Sequence, residues 1–330
     1  MFRTIVITGA VIGLAACSSA AAKDAGPVSP TQPQQIQLAQ HAGSTADATT
    51  LTVTPVAAIR AELPAAIRNR GSLIVGVGAL PTGFPPLAYV GDDQRTLTGA
   101  EPDLGRLLGG VLGVKVDLQN SSWDNMFVRI DSGQVDVGLS NIADTELRKQ
   151  KYDFASYRLS TMAFETTASS TWSFNGDYRN LAGKTIAVGS GTNQEKILLA
   201  WQSKLKAAGQ NVTLRYFNDT NSQLLALQSG RIDAYFGPNP SVQYQVAQNA
   251  KGPKPLRNAG TYVGTGATKD GFTVAATTKK GNGLAKPLAD AINDLIKTGA
   301  YTRWLAAYHL SDEAVTTSRV NPPGVPLTNQ

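Results

Sequence analysis

Cysteine and histidine are almost absent from this chain, and their scarcity excludes several kinds of site. The 330 residues include one cysteine, Cys17, and two histidines, His41 and His309. A single cysteine can form neither an intrachain disulfide nor a cysteine zinc site. Two histidines cannot build a histidine-rich metal centre, and a Ser-His-Asp triad would depend on His309 alone. We therefore expect no metal and no cofactor, and the chain gives little support to a triad hydrolase.

Charged residues are also scarce. They make up 16% of the chain, against roughly 25% in a typical soluble domain. The net charge of +6 is modest, and no dense run of lysine and arginine occurs, so we expect no nucleic-acid partner. The apolar content of 42% is sufficient for a buried core, and the length suits two domains of ordinary size.

No apolar run in the sequence reaches the roughly 20 residues that a membrane-spanning helix needs. One shorter run, residues 5–16, follows Arg3 and has the length of a signal-peptide core. It ends in LAAC at 14–17, which resembles the lipobox of bacterial lipoproteins. The resemblance implies that 1–17 is a lipoprotein signal peptide and that Cys17 carries the lipid that anchors the chain to the cell membrane. The alternative is an ordinary signal peptide with an incidental cysteine.

Aromatic residues are missing between Phe2 and Phe84. The stretch 18–59 consists largely of Ser, Ala, Pro, Gln and Thr, and such a segment has few large side chains to offset the entropy of ordering itself. We therefore predict a flexible tether over 18–59. Together with the lipobox it indicates an extracytoplasmic, membrane-anchored body without a ready supply of ATP or NAD(P)H.

The body alternates apolar runs of strand length with amphipathic segments of helix length. Strands are predicted at 73–77, 114–118, 135–139, 185–188, 212–216 and 232–236, and helices at 103–112, 123–130, 194–207, 221–228 and, interrupted at Gly299, 284–310. This order predicts an α/β fold with mostly parallel sheets. The sequence DSGQVDV at 131–137 is echoed by QSGRIDA at 228–234, which indicates either two similar lobes or reuse of the same turn chemistry.

A series of short motifs then follows in a fixed order. They are FPP at 84–86, LTG at 97–99, SWD at 122–124, SGQVD at 132–136, Thr145 with Arg148, DF at 153–154, LAGK at 181–184, GT at 191–192, QSGRIDA at 228–234 and TGAY at 298–301. Through them the chain resembles, from residue 73 to residue 310, the bacterial extracellular solute-binding proteins of family 3. These are the polar amino-acid-binding proteins of ABC importers.

The resemblance implies an α/β, two-lobe type II periplasmic-binding-protein fold with the ligand cleft between the lobes. Lobe 1 would comprise 60–166 plus 269–312, lobe 2 would comprise 167–268, and 313–330 would form a C-terminal tail. The implied function is that of an extracytoplasmic substrate-binding component of an ABC importer. It would act as a monomer, capture an amino acid or amino-acid-like carboxylate solute by hinge closure, and deliver it to a permease in the cytoplasmic membrane.

The same resemblance implies which residues bind the ligand. Arg148 stands five residues before Asp153, as does the carboxylate-binding arginine of the family, and a planar guanidinium suits a carboxylate. From the residues alone, Arg148 would be a solvated helix start. Thr192 and Asn193 open a helix, where hydroxyl and N–H groups suit an anion, although capping of that helix is the alternative. Further residues named by the resemblance are the stacking aromatics Trp123 and Phe84, for which core packing is the alternative.

Departures from the family pattern bear on the ligand. Asn141 and Ala143 stand where small hydroxyl residues or glycine are common in the family, and only Asn141 retains a polar side chain that can hydrogen-bond the ligand, so Asn141 is included among the predicted ligand-binding residues. Pro238 stands where the family has the acid that binds the α-ammonium group, and a buried ammonium without a carboxylate is costly. Either the ligand lacks a free α-ammonium, as an opine or a betaine does, or Glu165 or Glu195 serves instead.

Two other functions are compatible with the same fold. One is a dehydratase-type enzyme, which would need a placed general acid or base in the cleft, and the sequence shows no such pair. The other is a ligand-sensing lipoprotein that signals to a membrane partner. Fold does not decide among these functions, and we expect a binding protein rather than an enzyme.

Overall fold

The computed structural model describes residues 31–217, 219–264 and 272–326. The signal peptide predicted for 1–17 and its Cys17 lie outside the described residues. The strands are β1 (Gln34–Leu38), β2 (Thr49–Val53), β3 (Ser72–Leu80), β4 (Tyr89–Val90), β5 (Leu97–Thr98), β6 (Lys115–Ser122), β7 (Val137–Leu139), β8 (Tyr152–Leu159), β9 (Met162–Thr167), β10 (Thr185–Val188), β11 (Thr213–Tyr216), β12 (Ala234–Pro238), β13 (Leu256–Tyr262) and β14 (Thr273–Lys279). The α-helices are α1 (Ala57–Ala61), α2 (Ala65–Arg70), α3 (Ala100–Leu112), α4 (Trp123–Asp131), α5 (Asn193–Ala207), α6 (Thr220–Gln228), α7 (Asn239–Asn249), α8 (Ala285–Lys297) and α9 (Ala300–Ala307).

Two five-stranded mixed sheets form the two lobes, and their strand arrangements correspond. The first sheet has the order β6-β3-β7-β14-β8 and the second has the order β11-β10-β12-β9-β13. In each sheet the first three strands are parallel and are linked through helices, and the next strand joins them antiparallel. The echoed sequences lead into β7 and β12, which occupy the same place in the two sheets. The interpretation as two similar lobes therefore agrees with the topology.

Each lobe has its own core. In the first, α8 buries Leu288, Ile292 and Leu295 on one helical face, in the same cluster of buried side chains as α3 and β3. In the second, Phe164 stacks on Phe236 with ring centroids 4.3 Å apart, and aromatic side chains of neighbouring elements surround the pair. The α/β, two-lobe prediction is confirmed. Within the described ranges, no helix combines the length and the apolar character needed to cross a lipid bilayer.

The chain crosses between the lobes earlier than predicted. Strand β8 ends at Leu159 in the first sheet, and β9 begins at Met162 in the second, so the crossover consists of Ser160 and Thr161. The predicted boundary at 166–167 would have cut β9 from its own sheet. The return crossover lies between β13 and β14, and its predicted position at 268–269 falls outside the described residues.

The predicted tether is wrong for residues 34–53. Strands β1 and β2 form an antiparallel hairpin that buries Leu38, Leu51 and Val53 in the core of the first lobe. The hairpin has too few large side chains for a core of its own, but it completes an existing one. The hairpin packs closely on α3 at Gly110. A Cβ added to this glycine would lie only 3.0 Å from the Val53 side chain. The part of the predicted tether before residue 31 lies outside the described residues.

The segment predicted as a C-terminal tail packs against the first lobe as far as it is described. We call residues 312–326 the C-terminal strap. Val320 pairs with Ala155 of β8, and Val325 pairs with Thr145 in the segment between β7 and β8. The strap is therefore part of the lobe surface, and it adjoins the segment that carries Arg148.

Candidate functional site

A cavity of about 230 Å³ lies in the cleft between the lobes. It is lined by residues at or just beyond the carboxyl ends of β3, β6 and β7 in the first lobe and of β10, β11 and β12 in the second. Open α/β sheets generally bind ligands at this edge. The six residues predicted to bind ligand all line this cavity: Phe84, Trp123, Asn141, Arg148, Thr192 and Asn193. The lobes also touch beside it, where the Ser241 hydroxyl donates to the Pro85 carbonyl at 3.1 Å.

Arg148 begins a single 3-10 turn between β7 and β8. Its guanidinium carbon lies 5.4 Å from the Trp123 ring centroid and 5.1 Å from that of Phe127, and its Nη1 donates to the Ala143 carbonyl at 3.0 Å. Burial lowers the pKa of Arg148 to about 10, so the group stays charged at neutral pH. Among the described residues it forms no salt bridge. A desolvated cation without a carboxylate partner favours an anionic ligand.

The opposite wall contributes the N-terminus of α5. Thr192 caps this helix: its hydroxyl accepts from the Glu195 N–H at 3.1 Å and donates to the Gly189 carbonyl at 2.8 Å. Capping therefore occupies the Thr192 hydroxyl. Asn193 follows with 7% of its surface exposed, and its Nδ2 has no hydrogen-bond partner in the described part of the chain. An unpartnered amide donor and a helix N-terminus both suit a carboxylate oxygen.

A second cation lies near the guanidinium. Burial lowers the pKa of the Lys196 ammonium, and the positive charge of Arg148 lowers it further. Lys196 is on the first turn of α5, in the other lobe. Two cations, one from each lobe, thus approach each other at this end of the cleft, and an anion bound between them would relieve their repulsion.

The two predicted aromatic residues line the cavity, and three further aromatic lining residues were not predicted. Trp123 packs edge-on against Phe127 with ring centroids 5.4 Å apart, and Phe84 is half-buried against the core of the first lobe. Both residues therefore combine core packing with a cavity face. Phe217, Tyr235 and Phe236 complete the aromatic part of the lining. Their positions, just after one parallel strand and within the next, were the signal that could have found them.

Tyr235 depends on the glycine two residues later. A Cβ at Gly237 would overlap the Tyr235 ring, so only glycine lets the ring lie along the strand at this point. Both residues line the cavity.

Asn141 is held in a left-handed backbone conformation with a φ of 49°. Asparagine tolerates this conformation better than most residues. Its N–H donates to Glu101 Oε1 at 2.5 Å, and its Oδ1 accepts from Arg158 Nη2 at 2.6 Å. These two bonds fix the residue and leave the side-chain NH₂ for the cavity. Ala143 also lines the cavity, and its carbonyl bonds Arg148.

Glu165 and Glu195 were considered as partners for an α-ammonium group in place of the acid missing at 238. Neither of them lines the cavity. Pro238 lines the cavity, so the acid of the family pattern is indeed absent there. Glu195 Oε2 accepts the Gly191 N–H at 2.6 Å and is committed to the start of α5. Glu165 is fully buried behind Gln223, whose Nε2 donates to it at 3.2 Å, and burial raises the pKa of Glu165 to about 8.

Two other carboxylates line the cavity, and the sequence analysis missed both of them. Asp219 caps α6 by accepting the Ser222 N–H at 2.8 Å, and hydrogen bonds from Ser222 lower the pKa of Asp219. Asp124 follows Trp123 and is exposed. Their place just beyond the carboxyl ends of β11 and β6 was the available signal. In the described ranges, no group of three or more His, Cys, Asp or Glu side chains is arranged to hold a metal ion.

Comparison with known proteins finds amino-acid-binding relatives. The L-cystine-binding protein TcyJ of Escherichia coli K12 is 33% identical over 169 residues, which cover 51% of this chain and 59% of the relative. The chain thus spans about three-fifths of the length of that relative. The arginine-binding protein ArgT of Corynebacterium glutamicum is 26% identical over 270 residues, which cover 81% of this chain and 84% of that protein.

A solved structure of an amino-acid-binding protein is also similar to this chain. An ancestral arginine-binding protein bound to arginine superposes with a TM-score of 0.61 and is 27% identical, covering 72% of this chain and 98% of its own. Residues 75–311 match the bacterial extracellular solute-binding proteins, family 3, and this range includes both sheets apart from the first residues of β3. The fold, the interlobe cleft and this match together establish that the chain belongs to the bacterial extracellular solute-binding proteins of family 3.

Proposed function

We propose that this chain is the extracytoplasmic substrate-binding component of an ABC importer and captures an amino acid or amino-acid-like solute by its carboxylate. The observation that carries the proposal is Arg148, a charged guanidinium in the interlobe cleft with no salt bridge to a described residue. The names of the relatives support the solute class, since they describe binding proteins for cystine and for arginine.

The carboxylate would lie between the two lobes. Arg148 Nη1 already bonds the Ala143 carbonyl, and its remaining N–H groups can donate to two carboxylate oxygens. Asn193 Nδ2 and the N-terminus of α5 would bind the same group from the second lobe. A ligand held by both lobes favours the closed arrangement, because it gains contacts there that neither lobe supplies alone.

The other end of the solute would meet the aromatic and acidic lining. Asp219 and Asp124 are the carboxylates available for a positively charged group, and Trp123, Phe84 and Tyr235 offer ring faces. This lining admits an amine placed differently from an α-ammonium, or an alkylated ammonium as in a betaine. We therefore propose that the ligand is an amino acid held by Asp219 or a modified amino acid.

The N-terminal sequence supports the proposed location. The apolar run and the LAAC motif at 14–17 are the basis for proposing a lipoprotein that is anchored at Cys17 and held at the cell membrane. At that surface a monomer would deliver its solute to a membrane permease.

A thermal-shift screen of the full chain tests the proposed solute class. The screen would contain amino acids (L-cystine and L-arginine among them), opines and betaines, each beside its carboxamide. A solute at 100 times its dissociation constant adds about 2.7 kcal/mol, which is roughly 5–10 °C for lobes of this size. We expect shifts from free acids and none from the carboxamides. Mass spectrometry of the recovered solute would show it unchanged, whereas turnover would favour a dehydratase-type enzyme.

A further inference from the structure

The C-terminal strap, residues 312–326, begins just after the last residue of the family match at 311. It nevertheless contacts the segment that carries Arg148. The Val325 N–H donates to the Asp144 carbonyl at 3.0 Å, and the Glu146 N–H donates to the Val325 carbonyl at 3.0 Å. The strap is therefore hydrogen-bonded to the backbone of residues 144–146, just before Arg148.

Side chains reinforce this pairing. The Gly324 N–H donates to Glu146 Oε1 at 2.8 Å, and Lys149 Nζ donates to the Pro322 carbonyl. Lys149 is the residue after Arg148, and its ammonium also lies 3.4 Å from the buried Asp144 carboxylate. Both flanks of Arg148 are thus bonded to the strap.

The strap also supplies a buried charge. Glu313 is 3% exposed, and its carboxylate forms an ion pair with Arg158, which is 1% exposed. A buried guanidinium needs such a partner, because an isolated charge is costly to desolvate. The other terminal nitrogen of Arg158, Nη2, donates to Asn141 Oδ1 at 2.6 Å. Glu313 is therefore linked through one side chain to a residue of the ligand cavity.

The second oxygen of Glu313 reaches the crossover between the lobes. The Thr161 hydroxyl donates to Glu313 Oε1, and Thr161 is one of the two residues between β8 and β9. The Asn239 N–H, at the start of α7 in the second lobe, donates to the Thr161 carbonyl at 3.0 Å. The Glu313 carboxylate thus bonds both Arg158, which holds Asn141, and Thr161, which lies in the crossover to the second lobe.

We infer that Glu313 of the strap is a positioning residue of the ligand site. By holding Arg158 against Asn141 it fixes the amide with the NH₂ toward the cavity, and by bonding Thr161 it holds the crossover in the arrangement that brings the lobes together. The effect on affinity rests on the proposed function, whereas the positioning of Asn141 does not.

The first test compares two neighbouring carboxylates of the strap in the full chain. Glu313→Gln removes the buried charge with little change in shape, and Asp312→Asn makes the same change at an exposed site. With L-cystine and L-arginine as probes in calorimetric titrations, we expect Glu313→Gln to weaken binding of the accepted probe roughly tenfold or more. Asp312→Asn should bind it as the wild type does.

A second variant separates positioning from stability. Replacing the ion pair by apolar residues, in Arg158→Met with Glu313→Leu, is often neutral or stabilising for a fold. Glu313→Gln should lower the melting temperature, because it leaves the Arg158 charge buried without its partner. We expect the double variant to recover that melting temperature without recovering affinity, since Asn141 loses its bond to Arg158. Recovery of both would assign Glu313 a structural role only and overturn the inference.

Hydrogen exchange decides the inference without any ligand. The amides of 141–148 should exchange faster in Glu313→Gln than in the wild type or in Asp312→Asn, while those of the second-lobe core stay unchanged. Unchanged exchange over 141–148 would overturn the inference. If the wild type binds neither probe, the choice of probes fails, and the exchange measurement still gives the answer for Glu313.

Discussion

At the scale of single residues, two groups of the site have hydrogen-bonding capacity that the described chain does not use. The Arg148 guanidinium and the Asn193 amide both line the cavity with hydrogen-bonding capacity unused by the described chain. A buried polar atom without a partner, such as Asn193 Nδ2, is rare unless something else satisfies it. The proposed carboxylate would satisfy both at once, one from each lobe.

Trp123 gives a prediction about affinity. Its ring lies beside the Arg148 guanidinium and faces the cavity, so Trp123→Leu should weaken ligand binding by roughly 1–2 kcal/mol through lost ring-face contact and lost buried area. The matched control is Trp172→Leu, since Trp172 packs against Phe164 in the core of the second lobe. Calorimetric titration of both variants checks this, and equal affinities would place Trp123 outside the binding surface.

Glu165 gives a prediction about pH. Burial raises the pKa of this carboxyl from 4.5 to about 8 in the folded chain, so the folded chain binds more protons than the unfolded chain between these pH values. Its contribution to stability therefore falls as the pH rises from about 4.5 to 8. Glu165→Gln keeps a neutral side chain of the same shape, so its stability relative to the wild type should increase by about 4 kcal/mol as the pH rises from 5 to 9.

Urea unfolding at both pH values measures that gain. Because Asp144 has a raised pKa in both proteins, only the difference between variant and wild type isolates Glu165. A constant difference across this range would mean that Glu165 ionises as an exposed glutamate does.

The sequence was informative about several residues of recognised motifs, although Asp124 of the SWD motif was missed, and it was uninformative about residues outside the motifs. Arg148 and Trp123 lie in recognisable spacings, and the structure brings them to one cavity. Asp219 and Tyr235 belong to no recognised spacing, and their place on the cavity wall depends on how the strands of the second lobe are ordered. For Thr192 the sequence could not distinguish helix capping from ligand contact, because both favour a threonine at the start of α5.

At the scale of elements, the alternation of strands and helices was readable where an apolar run is buried in one sheet, as in β3, β7 and β10. The predicted strand at 185–188 coincides with β10, and the predicted helix at 123–130 lies within α4. The hairpin of β1 and β2 was not readable, because its apolar residues are few and their partners are distant in sequence. Its stability comes from α3 and α9, against which it packs.

Leu51 tests the correction to the predicted tether. It is 1% exposed in β2, and truncation of a buried leucine usually costs about 2–5 kcal/mol, so Leu51→Ala should lower the free energy of unfolding by that amount. Thr50→Ala changes an exposed residue of the same strand and should have almost no effect. Urea denaturation of the two variants gives the comparison. A flexible tether would make them indistinguishable.

At the scale of the whole molecule, two lobes of corresponding topology meet at the carboxyl edges of their parallel strands. The family resemblance predicted this arrangement, but it placed the first crossover within β9 because a boundary between lobes has no signature of its own in the sequence. The strap could not be anticipated either, since its contacts join residues such as Glu313 and Arg158 across more than 150 positions.

The central claim is that a carboxylate of the solute binds Arg148. The most direct test is a double-mutant cycle by isothermal titration, with an accepted solute and its carboxamide against the wild type and Arg148→Met. A buried charge-assisted pair predicts that the free acid loses at least roughly 100-fold in affinity on the substitution, and that the carboxamide binds both proteins equally weakly. Equal affinity of the free acid for the two proteins would contradict the assignment of Arg148 and the solute class that rests on it.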